Sequence, residues 1–236
     1  MQRAVLAWLL ALGLVAATLG VAVADPLATP PDREPVDLAG PPAEALERVL
    51  RTTETRDYTV SLAFRDEAGT GETRTVVQVE NSEREVLGRS AGDGPETLTY
   101  ANEHVGFRGR PGDLERGAGT WDDHNAPLGH LDALDGTDVT RTAANGTTTF
   151  RVAADAAAKR LVGYDAGVRG NATLTAVVDT EQRRLERLTF ERRWTEDGER
   201  ERRGAVWRFS DWGETDVKRP PGAGYSLAEF LYDATA

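Results

Sequence analysis

Three consecutive segments in the C-terminal half of the chain constrain its fold most, because each of them alternates apolar and polar residues. Within Thr173–Pro221 they read T-L-T-A-V-V-D, L-E-R-L-T-F-E-R-R-W and G-A-V-W-R-F-S-D-W-G. Successive side chains of a strand point to opposite faces, so one face of each segment is apolar and the other polar. This alternation is typical of an antiparallel sheet that is covered on one side and wet on the other.

The remainder of the globular region adds strands and a few helices. Pro41–Thr53 carries a helical apolar stripe, and shorter helices are predicted at Leu128–Leu134 and Asp155–Tyr164. The Asn145-Gly146 pair between two alternating runs predicts a hairpin turn. The fold class is therefore α+β, with about ten antiparallel strands. Besides the three segments above, strands are predicted at 58–64, 73–80, 83–89, 95–101, 104–108, 138–143 and 147–152, and a terminal helix at Ser226–Tyr232.

The N-terminal region predicts export. Ala4–Ala24 is an uncharged run of 21 residues, and about 20 residues in a helix cross a bilayer core. It ends in Ala22-Val23-Ala24, a pattern that signal peptidases cut, although the run is longer than usual for a cleaved signal. We expect a domain at the cell membrane facing outward, or a secreted one if the chain is cleaved after Ala24. The predicted organisation is 1–24 signal sequence or transmembrane anchor, 25–40 proline-rich acidic linker and 41–236 globular domain.

Charge and cysteine content exclude several classes of protein. The net charge of −11 argues against a nucleic-acid partner, whose phosphates it would repel. Only Lys159 and Lys218 are lysines among 28 basic residues, a balance that favours a salt-adapted organism over an ordinary acidic protein. The chain has no cysteine, which excludes disulfides, thiolate metal sites and cysteine nucleophiles.

The chain carries several short motifs in order: L-x-x-L at Leu128 and Leu131, the glycine-led pair of strands at Gly146–Val152, V-V-D at Val177–Asp179, L-x-x-L at Leu185 and Leu188, F-S-D-W-G at Phe209–Gly213, and Pro220. Together with the order of elements, these motifs resemble the LolA-like lipoprotein-carrier superfamily, in particular LppX/LprG-type surface lipoproteins. The resemblance covers roughly residues 41–222. It implies a curved antiparallel half-barrel sheet, covered by a lead helix and short inserted helices, with an apolar cavity between them. The chain lacks the cysteine that carries the lipid anchor in such lipoproteins, so Ala4–Ala24 would have to replace that anchor.

The predicted function is binding of a lipid or acylated ligand on the concave face of the sheet, by a protein tethered to the membrane and without a cofactor. The alternative is that the same side chains form a packed core, which leaves a non-catalytic sensor or interaction module with an envelope protein as its partner. The candidate ligand-binding residues are Val60, Leu62, Phe64, Val77, Val79, Leu98, Tyr100, Phe107, Leu188, Phe190, Trp207 and Phe209.

No catalytic or metal site is predicted. His124, His130, Asp132 and Asp135 form a loose cluster, but their spacing matches no known metal motif. Ser226 does not lie in a G-x-S-x-G turn. A hydrolase using the His124 region therefore stays a third alternative, and we expect the chain not to be an enzyme.

Two surface features complete the sequence-based picture. Asn145 and Asn171 each begin an N-x-T sequon, and both lie in predicted turns where a glycan can be attached. Nine arginines fall between Arg183 and Arg208, with carboxylates interleaved among them. We expect these charges to form cross-strand ion pairs on the wet face of the sheet.

Overall fold

A computed structural model describes residues 36–65, 74–92, 94–117, 119–121, 128–197 and 199–224. All of them belong to one compact unit, Pro35–Ala236. The run Ala4–Ala24, His124 and the predicted helix Ser226–Tyr232 lie outside the described residues. No helix within these ranges is both long and apolar enough to cross a membrane.

Eleven strands within the described ranges form one antiparallel sheet, in the order β6-β5-β4-β3-β2-β1-β11-β10-β9-β8-β7. Two meanders thus meet where the first strand pairs with the last. The sheet is curved and open rather than a closed barrel, which confirms the predicted fold class. The strands are β1 (Tyr58–Arg65), β2 (Arg74–Glu80), β3 (Glu85–Ala91), β4 (Thr97–Ala101), β5 (Gly106–Arg110), β6 (Asp113–Arg116), β7 (Val139–Ala144), β8 (Thr147–Val152), β9 (Asn171–Asp179), β10 (Arg184–Glu196) and β11 (Glu199–Ser210).

Three short helices pack on one face of this sheet, which we call the helix face. They are α1 (Pro42–Thr53), a 3-10 helix (Leu131–Leu134) and α2 (Asp155–Leu161). Proline suits the start of α1 because its missing N–H would have no helical acceptor there. Helix α2 ends three residues earlier than predicted, since Gly163 adopts a left-handed conformation with φ 78°.

Residues at the N-terminal edge of the described chain pack on the domain. Val36 is buried, and its N–H donates to the carbonyl of Arg183 at 3.4 Å. The guanidinium of Arg141 donates to the carbonyl of Leu38, which lies on the same short stretch. Arg48 of α1 also donates to the carbonyl of Asp37 at 3.1 Å, so the last residues of the predicted linker are held against the sheet and α1.

The main core lies between the helices and the sheet, and it is tightly packed. Leu46 of α1, Phe150 of β8, Leu174 of β9 and Leu188 of β10 each have no solvent-accessible surface. A void large enough for water would leave accessible surface on the side chains around it. No such void therefore adjoins these four residues, and the space beneath the helices is filled by the protein itself.

A second, smaller core occupies the opposite face at the β6 end of the sheet. Leu87, Tyr100 and Phe107 are buried there beneath Val217 and Ala223, which belong to the segment after β11. The hydroxyl of Tyr100 donates a hydrogen bond of 2.6 Å to the carboxylate of Glu85. Burial, helped by this hydrogen bond, raises the pKa of Tyr100. The sheet is thus covered on both faces, but at different ends.

Candidate ligand-binding surface on the helix face

The register places most of the predicted ligand-binding residues together. Leu62 lies opposite Trp207 on β11 and Thr75 on β2, and Trp207 in turn lies opposite Leu188. Alternation from these pairs assigns nine of the twelve to the helix face. The nine are Val60, Leu62, Phe64, Val77, Val79, Leu188, Phe190, Trp207 and Phe209.

The other three do not share that face. Leu98, Tyr100 and Phe107 point to the opposite side of the sheet, where Tyr100 and Phe107 belong to the second core. Strand alternation alone predicts which residues of one strand share a face, but not how strands align with each other across a turn. The predicted ligand-binding residues therefore lie on two faces of the sheet. Nine are on the helix face, whereas Tyr100 and Phe107 are on the opposite face, where the segment that contains Val217 covers them.

Four of the nine form a partly exposed surface that the helices leave uncovered, and we call it the open strip: Leu62, Phe64, Val77 and Trp207. Phe64 keeps 45% of its surface exposed, which is high for a phenylalanine in the middle of a sheet. The other five are buried in the core. The open strip is thus an apolar surface continuous with a sealed core.

Beyond Val77, the open strip is bordered by a glycine on β3 and by two uncharged hydroxyl groups. Gly88 lies opposite Val77, and a Cβ added there would make only ordinary contacts, 3.9 Å from Val77 Cγ2. The hydroxyls of Thr75 and Ser90 hydrogen-bond each other at 2.9 Å. This bond uses the O–H of only one of the two hydroxyls, so an apolar ligand resting there would have to leave the other O–H accessible to water.

An aromatic wall borders the other end of the open strip. Tyr164 follows α2 and stacks on Phe190, with ring centroids 5.6 Å apart, while 43% of the tyrosine stays exposed. The guanidinium of Arg192 lies 5.3 Å from the Tyr164 ring and 4.5 Å from the Trp194 ring. The sequence gives no signal for this wall, because Tyr164 reaches it from a loop.

The arginine-rich hairpin of β10 and β11 is only partly neutralised. On the face opposite the helices, Glu191 pairs with Arg193 at 3.0 Å and also with Arg202. Arg187, however, lies directly opposite Arg208, and among the described residues neither forms an ion pair. In the described part of the chain, the predicted cross-strand pairing is therefore present between Glu191 and Arg202 and absent around Arg187.

A polar cleft of about 690 Å³ lies near the tip of this hairpin. Its lining is charged, in contrast to the open strip, so it does not fit a purely apolar ligand. The lining residues are Arg169, Gly170, Asn171, Arg193, Trp194, Thr195, Arg200, Glu201 and Arg202.

Glu191→Gln is expected to cost about 1 kcal/mol of unfolding free energy at pH 7, because one carboxylate serves two arginines at a surface site. Burial acts to raise the pKa of Glu191, but its bonds and attraction to Arg202 and Arg193 prevail and lower it. The stabilisation is thus complete above the unfolded pKa of about 4.3 and is lost as pH falls through the lower folded pKa. Urea unfolding at pH 7 and near pH 3 checks this; Glu199→Gln, which removes an exposed carboxylate from the same hairpin, is the control. An equal loss from Glu191→Gln at both pH values would contradict the ion-pair interpretation.

The remaining candidate residues lie apart from the open strip. Asn145 is exposed in the β7–β8 turn, and Asn171 is exposed at the start of β9, so glycosylation of both stays a prediction. Asp132 pairs with Arg160 at 2.6 Å rather than with His130. Within the described ranges no three histidine or carboxylate side chains are grouped to hold a metal ion.

Comparison with known proteins shows likeness only to solved structures. No protein-family model matches the chain, and no curated protein matches its sequence. A crystal structure of a DUF1329 family protein from Desulfovibrio piger is similar to it at 12% sequence identity and a TM-score of 0.30. The alignment covers 83% of this chain and 99% of that one. A likeness this distant supports no conclusion about function. The function is therefore argued from the open strip itself.

Proposed function

We propose that this chain is an extracytoplasmic, membrane-tethered protein of the cell envelope that binds a lipid or another apolar ligand on the open strip. The observation that carries the proposal is the exposure of Phe64, Leu62 and Trp207 beside a fully packed core. A contiguous apolar surface on a strongly charged chain indicates an interaction site. The LolA-like resemblance leads to the same function from the order of elements.

The ligand lies beside the helices rather than beneath them in this proposal. The buried face of α1 leaves no room above Leu188, so a ligand there would have to displace the helix. On the open strip an acyl chain needs no such movement, and each buried methylene contributes up to about 0.8 kcal/mol. Affinity then comes from apolar contact alone, which explains why no polar binding motif is needed.

Leu62→Glu is expected to weaken dodecanol binding more than tenfold, because a charge at the centre of the open strip must lose its hydration when the alkyl chain binds. Titration calorimetry of the full chain with dodecanol measures this. Ser61→Glu is the matched control, since it adds the same charge at the adjacent position of β1 but on the opposite face. A Leu62→Glu chain that binds dodecanol as tightly as the parent would contradict the proposal.

A second candidate function is a sensor or interaction module, and the openness of the strip favours it. Phe64 is exposed on the surface rather than enclosed, so the apolar side of a partner protein fits there as well as an alkyl chain does. Extraction and mass spectrometry of the purified full chain separate the two candidates. A stoichiometric co-purified lipid supports the binding protein, whereas a lipid-free chain that does not bind dodecanol supports the interaction module.

A further inference from the structure

Two arginines stand side by side on the helix face, and neither forms an ion pair with a carboxylate of the described residues. Arg192 of β10 lies directly opposite Arg203 of β11, an arrangement in which like charges repel. Their guanidiniums lie 4.5 Å and 5.7 Å from the ring of Trp194, which holds both by cation–π attraction. Neither forms an ion pair within the described part of the chain, although the half-buried Glu201 shares their face.

This arginine pair borders the open strip. Arg192 follows Phe190 on the same face of β10, and Arg203 precedes Ala205, which lies opposite Phe64. One such same-face step along a strand is about 7 Å. The surface thus changes from cationic to apolar within a single step.

The apolar surface beyond the pair is long enough for an alkyl chain. Along β11, Trp207 of the open strip lies four residues beyond Arg203, about 14 Å at 3.4 Å per residue, and it pairs with Leu62. Val77, at the far end of the open strip, lies one same-face step farther, about 7 Å, in the row of the buried Val60. A ligand that spans this distance would have one charged end and one apolar end.

We propose that the ligand is an anionic amphiphile, whose alkyl chain lies on the open strip and whose acidic headgroup is bound between Arg192 and Arg203. The inference rests on the proposed function and names the class of ligand. A guanidinium donates two parallel hydrogen bonds to a carboxylate or phosphate, and the headgroup would relieve the repulsion between the two arginines. Trp194 keeps both guanidiniums in place before the ligand arrives, which lowers the entropy lost on binding.

Laurate and dodecanol test the inference, because they share an alkyl chain and differ in the headgroup. We expect the full chain to bind laurate about tenfold more tightly than dodecanol at pH 7. In the Arg192→Gln/Arg203→Gln variant, laurate should bind no more tightly than dodecanol. The matched control is Arg187→Gln/Arg208→Gln, which removes the same charge from the opposite face of the same two strands and should keep the preference for laurate.

The possible outcomes distinguish a failure of this inference from a failure of the proposed function. Equal affinity of the parent chain for laurate and dodecanol would overturn the headgroup site and leave the open strip as a purely apolar surface. A preference that both arginine variants lose would also overturn it, since a general field of positive charge would then explain the preference. If neither compound binds, the proposed function itself fails.

Discussion

Leu188→Ala is expected to lower the free energy of unfolding by about 3–5 kcal/mol, because it removes a fully buried side chain from a core that cannot collapse around the gap. Leu62→Ala is the matched control. It changes the same residue type in the same cross-strand row, two strands away, and it should cost less than about 1.5 kcal/mol because Leu62 is only half-buried. Urea unfolding of both variants measures the difference.

This comparison tests whether the space beneath the helices is packed. A large cost at Leu188 with a small cost at Leu62 places the packed interior beneath the helices and the accessible surface beside them. Similar small costs at both positions would mean that the space under α1 is loosely filled. A cavity between helices and sheet, as the sequence resemblance implies, would then become the better site.

Val217→Asp is expected to cost about 3 kcal/mol or more, because it places a carboxylate against Leu87, Tyr100 and Phe107 in the second core. The backbone N–H of Val217 donates to the carboxylate of Glu80 at 2.7 Å, so the new aspartate would also lie close to the negative charge of Glu80. Burial raises the pKa of Glu80, so the surroundings of this carboxylate already disfavour a negative charge. Unfolding in urea measures the loss.

Lys218→Asp is the control for this variant. It introduces the same side chain one residue later, at a lysine whose side chain is 82% exposed, and should change stability by less than about 0.5 kcal/mol. Limited proteolysis then shows whether the segment after β11 detaches from the sheet in Val217→Asp alone. Equal resistance of both variants would contradict the assigned role of this segment as the cover of the second core.

The alternating segments and the turn signals were sufficient to predict most of the sheet. The three segments of Thr173–Pro221 form β9, β10 and β11, and the Asn145-Gly146 turn connects β7 and β8 with both residues at positive φ, 51° and 76°. Strand β6 was missed because D-L-E-R contains one apolar residue, Leu114, and so shows no alternation. Local patterns thus reveal strands only where they are long enough to alternate.

The candidate site was predicted less completely, and the reason lies in long-range contacts. Leu98 and Tyr100 alternate as clearly as Leu62 and Phe64, yet the cover over Tyr100 comes from Val217, more than a hundred residues later, in a segment without periodicity. The stacking of Tyr164 on Phe190 likewise depends on how a loop returns to the sheet. Neither contact leaves a local signal in the amino-acid sequence.

Methyl-resolved NMR of the full chain during titration with dodecanol tests the central claim most directly, because it reports where the ligand lies. We expect the largest chemical-shift changes at the methyl groups of Leu62 and Val77 on the open strip, and small changes at the buried methyl groups of Leu174 and Leu188. Changes centred on Leu174 and Leu188, or no saturable change at any methyl group, would contradict ligand binding on the open strip.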